Sequence, residues 1–186
     1  MLSITLYVLK QLYGYARLEM LQISDGKHIW LIDVQSAGLP AEFGAFLQDV
    51  RRLKLFHAAG QDIEILTRLF GRAPAPWFDT QIAAGFVGFA YPLSLAKLVL
   101  EIVGVKLSKG LTFTHWDQRP LSDQQMRYAS DDVRFLLAIQ EGLSKRLAIR
   151  GVPLARLLIS IAPSISMRHF KMPAERTIII CNSSAL

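Results

Sequence analysis

The tetrapeptide Ser24-Asp25-Gly26-Lys27 joins two short runs, "ARLEMLQIS" and "HIWLIDV", that are rich in β-branched, aromatic and aliphatic residues. An Asp-Gly step between such runs is a strong hairpin signal, because those two residues reach the backbone angles that a tight turn between twisted strands requires. The chain is thereby committed to an antiparallel pair near its start, which excludes an all-helical fold and a purely parallel sheet. Beyond the hairpin, helix and strand patterns alternate: "LPAEFGAFLQDVRRL" has helical spacing, "LKLFHAA" is a brief apolar strand, and "QDIEILTRLFG" sets Ile63, Leu66 and Phe70 on one face before Gly71. A hairpin succeeded by strand–helix units predicts an α/β or α+β domain, a mixed sheet with helices on both faces.

Further along the chain, "APAPWFDT" breaks the pattern, and Asp79 or Thr80 caps a helix over "QIAAGFVGF". Ser94 caps "SLAKLVLEIVG", and the strongest helical segment runs from Ser122 to about Arg150. A length of 186 residues suits one domain, and 52% apolar residues support a packed core. No run has the roughly 18 apolar residues of a membrane span, so a soluble protein without a membrane partner is expected. Cys181 is the only cysteine, which excludes an internal disulfide or a cysteine zinc cluster and suits a reducing, cytoplasmic setting. The first twenty residues carry no basic region ahead of an apolar core, so no secretory signal is expected. After Gly151 the periodicity weakens, Pro153, Pro163 and Pro173 interrupt it, and Glu175 is the only acid. Residues 1–150 therefore read as the domain and 151–186 as an irregular tail. The net charge of +6 favours a polyanionic partner such as nucleic acid.

Within the Ser122 segment, Tyr128 and Asp132 stand four apart and share a helical face, while Asp131 leans to the next stripe. Asp62 occupies the first turn of a helix directly after an apolar strand, and the ends of strands in mixed sheets commonly line the active crevice. Each has a plainer reading alone: a half-buried core tyrosine, solvated helix acids, an acid suited to a helix N-terminus. Taken together, a carboxylate at a strand–helix junction and another on a packed helix suit hard divalent cations such as Mg²⁺. Two such ions about 4 Å apart serve phosphodiester hydrolysis, and a tyrosine one turn away could orient the attacking water.

The stretches "KLFHAAGQDIEILTRLFGRAPAPWFDTQIAAGFVG" and "WDQRPLSDQQMRYASDDVRFL" resemble ribonuclease D, a 3'-5' exoribonuclease of the group defined by four acidic residues and a tyrosine. The likeness runs from about Ala16 to Arg150. It implies a ribonuclease H-like fold and a two-ion Mg²⁺ or Mn²⁺ mechanism. As substrates it implies the single-stranded 3' ends of RNA, typically tRNA precursors. The second acidic motif of that family matches Asp62, and its Tyr-x-x-x-Asp motif matches Tyr128 and Asp132. The resemblance makes all three catalytic, with Asp62 and Asp132 as metal ligands. His57, Gln61, Lys109, Trp116 and Arg119 fall in similar stretches, where such side chains could contact phosphate or stack on a base; each also reads as a packing or strand-end residue.

The chain departs from that family in its first strand, where Asp-x-Glu supplies two of the four acids. Without gaps those positions fall on Thr5 and Tyr7. Glu19 is the first acid of the chain, and Glu64 points away from Asp62 on its helix; neither is an obvious substitute. The two-ion site is therefore expected to be incomplete, and residues 151–186 are too few for the family's helical accessory domains. Two alternatives stand beside the exoribonuclease: a catalytically inactive nucleic-acid-binding module of the same fold, and DNA as substrate, since nothing here reads a 2'-hydroxyl.

Overall fold

A computed structural model describes residues 2–10, 16–39, 41–107, 116, 118–153, 157 and 178–182; for 2–10, 16–17, 41 and 178–182 it describes the backbone. Lys109 lies outside the described residues. Among these residues six strands form one mixed sheet: β1 (Leu2–Lys10), β2 (Ala16–Ser24), β3 (His28–Asp33), β4 (Lys54–Phe56), β5 (Trp77–Asp79) and β6 (Ile178–Asn182), in the order β5-β4-β1-β2-β3-β6. β1, β2, β3 and β6 pair antiparallel, whereas β4 and β5 run parallel to β1. The predicted hairpin joins β2 to β3. Its tip is held by the Asp25 carboxylate, which accepts from the amides of Lys27 at 2.8 Å and His28 at 2.7 Å, while Gly26 supplies a φ of 90°.

Among the described residues seven helices flank the sheet: α1 (Val34–Ala37), α2 (Ala41–Gln48), α3 (Gly60–Phe70), α4 (Thr80–Phe86), α5 (Leu95–Val103), α6 (Asp123–Arg134) and α7 (Leu136–Ile149). The period-2 alternation of the strands decides which helices each face receives. Leu21, Ile23, Ile32, Phe56 and Trp77 meet Phe43, Phe46 and Leu47 of α2 and Ile65 and Leu66 of α3. On the opposite face Met20, Ile29 and Leu31 lie under Ala129 and Val133 of α6, and Leu55 and Phe78 lie under α4, α5 and α7. Helices thus cover both faces.

Three features differ from the sequence reading. The segment from Ser122 to Arg150 is two helices, broken at Phe135, whose φ of −99° and ψ of −6° lie at the edge of the right-handed helical region. The break lets α6 track the β2–β3 cluster while Leu136, Ile139, Leu143 and Leu147 of α7 enter the cluster above β4 and β5. "APAPWFDT" contains the three-residue strand β5, which its prolines conceal. Residues 178–182, assigned to an irregular tail, form β6 against β3, from His28 opposite Asn182 to Ile32 opposite Ile178. Three consecutive isoleucines suit a strand, and β3 offers them an unpaired edge.

Lys54 opens β4 with its side chain wholly buried. Its ammonium donates to the carbonyls of Asp49 at 2.9 Å, Arg52 at 2.8 Å and Ala75, tying the turn before β4 to the loop before β5. Burial lowers its pKa from 10.5 to about 8.

Candidate active site

At the end of β4 the chain turns through His57 and Ala58 into α3. Ala58 has a φ of 57°, a left-handed conformation costing an L-residue about 1–2 kcal/mol, so the surrounding contacts must hold it there. Asp62 lies in the first turn of α3, 8% exposed, where the positive end of the helix dipole favours a carboxylate. Gln61 beside it is exposed. His57 is engaged at both ring nitrogens, Nδ1 with Thr80 Oγ1 at 2.9 Å and Nε2 with the Leu93 carbonyl at 3.0 Å. Burial lowers its pKa and favours the neutral ring. Thr80 also reaches the Phe56 carbonyl at 3.0 Å, and Gln81 Nε2 donates to Leu93 at 3.1 Å. The structure therefore places His57 in a link between the ends of β4 and β5 and the loop at Leu93.

The second group of residues sits on α6. Ser122 caps that helix in a reciprocal box: the Gln125 amide donates to Ser122 Oγ at 3.2 Å, and the Ser122 amide donates to Gln125 Oε1 at 2.9 Å. Val133 and Ala129, both fully buried, dock α6 on β2 and β3. Tyr128 and Asp132 are left partly exposed on the helix, one turn apart. Trp116, 8% exposed, packs into the same cluster, its ring centroid 6.1 Å from that of Tyr128. Asp131 ion-pairs with Arg134 at 3.6 Å, and burial raises its pKa.

Arg119 is held in a fork on Asp33, with Nε to Oδ2 at 2.7 Å and Nη2 to Oδ1 at 2.8 Å. Its Nη1 donates to the carbonyls of Trp116 at 2.7 Å and Gln118 at 2.8 Å. The hydrogen bonds from Arg119 lower the Asp33 pKa from 3.8 to about 2. Asp33 also caps α1, accepting from the Gln35 amide at 3.1 Å and the Ser36 hydroxyl at 2.8 Å. The pair fastens the segment ahead of α6 to the end of β3. The sequence marks Arg119 as a candidate substrate contact and gives no sign of Asp33, its partner 86 residues away.

The positions of the missing acids are set by register. Thr5 lies opposite Gln22, Tyr7 opposite Met20, and the pairing shifts between Tyr7 and Val8 so that Glu19 falls in the irregularity. Met20 is part of the cluster beneath α6. β1 neighbours β4, whose end leads to Asp62, so these positions belong to the central strand between the Asp62 junction and the α6 face. Thr and Tyr are neutral and weak as ligands for a hard cation. Among the described residues, no group of three or more His, Cys, Asp or Glu side chains could hold a metal ion.

A family model described as 3'-5' exonuclease matches residues 9–148. The chain belongs to the 3'-5' exonuclease family. Within this family its likeness is to ribonuclease D, and the fold, a mixed sheet with a four-stranded antiparallel part and two parallel strands, is ribonuclease H-like. Ribonuclease D of Pseudomonas paraeruginosa is 40% identical over 134 residues, 72% of this chain and 36% of that protein. The crystal structure of Escherichia coli RNase D, an exoribonuclease involved in structured RNA processing, aligns with a TM-score of 0.77 at 34% identity, covering 84% of this chain and 42% of that one. Brucella melitensis NrnC with bound Mg²⁺ aligns at 0.71 and 28% identity, covering 83% and 76%. The chain spans about a third of the length of the curated relatives it matches. The family match begins at residue 9, past both Thr5 and Tyr7.

Proposed function

We propose that residues 1–150 form a metal-dependent 3'-5' exoribonuclease domain of ribonuclease D type that takes single-stranded RNA 3' ends, tRNA precursors among them, in the cytoplasm. The observation that carries the reading is the Tyr128–Asp132 stripe on a helix docked over β1–β3, inside a family match that spans residues 9–148. Asp62 and Asp132 are the carboxylates for Mg²⁺ or Mn²⁺, and the Tyr128 hydroxyl orients the attacking water. His57, Gln61, Trp116 and Arg119 lie on the substrate side, with Trp116 backing Tyr128 and Arg119 fixing the segment between them, and Lys109 is assigned to substrate binding from its place in the sequence. No described helix is long and apolar enough to cross a membrane, and the charge of +6 suits a phosphate backbone.

Hydrolysis is slow in this reading, because Thr5 and Tyr7 stand where the resemblance expects two carboxylates. The same observation supports a second reading, a module that binds RNA without cutting it. A 5'-labelled single-stranded RNA with a free 3' end, incubated with and without Mg²⁺, separates the two. The first gives a slow ladder of single-nucleotide steps that EDTA abolishes; the second gives retained binding and intact RNA. The matching DNA oligonucleotide reports the sugar preference.

A further inference from the structure

Asp79 closes β5 and caps α4, its Oδ1 accepting from the amides of Gln81 at 2.7 Å and Ile82 at 3.3 Å. Those two bonds satisfy the ordinary role of an N-cap. The same buried carboxylate also reaches across to the neighbouring parallel strand. The Ala58 amide donates to Oδ1 at 3.1 Å and the Ala59 amide to Oδ2 at 2.8 Å.

Ala59 stands at the N-cap of α3 and has no side chain with which to cap it, yet its carbonyl starts the helix by accepting from Ile63 at 2.9 Å. Among the described residues, Ala58 is the only non-glycine with a positive φ. The entry to α3 is therefore held in a disfavoured conformation by a carboxylate that belongs to another helix. Asp62 comes three residues after Ala59. We propose that Asp79 is a positioning residue for Asp62: by fixing Ala58 and Ala59 it sets the direction in which the first turn of α3 presents that carboxylate. The proposal rests on Asp62 being a metal ligand of the exonuclease site. It matters because a ligand carboxylate acts only when held within fractions of an ångström of its working place.

The distribution of the four donors provides a selective test. Three point at Oδ1 and one at Oδ2. Asp79→Asn can keep its carbonyl oxygen toward the three and then presents an NH₂ group to the Ala59 amide, donor against donor. The cap of α4 survives, and of the two bonds that hold the entry to α3 the one from Ala59 is lost. Amide hydrogen exchange on Asp79→Asn should accelerate at Ala59 and Ile63 by about tenfold or more while Gln81 and Ile82 stay within about twofold of the parent chain. Mn²⁺ binding, monitored by electron paramagnetic resonance, should weaken at least about threefold in Asp79→Asn but weaken no further when the change is made on Asp62→Asn. Unchanged exchange at Ala59 and Ile63 overturns the proposal, as does an equal loss of Mn²⁺ affinity with and without Asp62. A parent chain that neither binds Mn²⁺ nor trims RNA overturns the functional reading and with it Asp62 as the object of the clamp; exchange then still reports whether Asp79 holds α3.

Discussion

Replacing Arg119 by Met tests whether that residue supports the site from behind or touches RNA. The guanidinium is 26% exposed and the Asp33 carboxylate 9%, so the fork is mostly shielded from water. A carboxyl whose pKa falls from 3.8 to about 2 has its charged form favoured by about 2.5 kcal/mol, at roughly 1.4 kcal/mol per tenfold. Because the folded pKa lies below the ordinary one, this stability is fully present above pH 4 and is lost as the pH falls from about 4 through about 2. Arg119→Met removes that contribution and leaves a nearly buried carboxylate without its cation, so the cost near pH 7 should be about 3 kcal/mol, within the range for breaking a buried pair. Urea unfolding of both proteins at intervals between pH 2 and 7 should show the difference shrinking by about 2.5 kcal/mol toward pH 2. A difference independent of pH would refute the account of the pair. RNA affinity lowered in the variant at temperatures where it is fully folded, with the salt slope reduced by about one phosphate, would identify Arg119 as a direct contact.

Between pH 8 and 10.5 unfolded Lys54 holds a proton that the folded side chain, with its pKa lowered to about 8, releases; stability relative to Lys54→Met should therefore rise by about 3 kcal/mol across that window, and a flat difference curve would contradict it. Thr5→Asp with Tyr7→Glu, placed opposite Gln22 and Met20, should produce Mg²⁺-dependent 3' trimming well above that of the parent, while rapid trimming by the unmodified chain, abolished by Asp132→Ala, would show that four acids are not needed. Single-stranded RNA affinity should fall with salt at a log–log slope of about −0.7 per phosphate contacted, and a salt-independent affinity would remove charge as its source.

The sequence by itself determined what is local. The Asp25-Gly26 hairpin, the stop of α3 at Gly71, the caps at Asp79 and Ser94, and the shared face of Tyr128 and Asp132 all depend on residues within about four positions of each other, where spacing and side-chain chemistry are sufficient. The family stretches around Asp62 and Tyr128 were legible for the same reason, as contiguous text. Tertiary structure alone decided the rest. The break at Phe135 exists because α6 and α7 serve different clusters, and β6 exists because β3 has an edge to offer. Asp33 finds Arg119 across 86 residues, Lys54 finds three carbonyls at a strand junction, and Asp79 reaches beyond its own helix to Ala58 and Ala59. Each is a polar group that folding brings under cover, and burial obliges it to take whichever partner the packed layers bring within reach. That partner is chosen by the stacking of strands and helices, which no window of sequence contains.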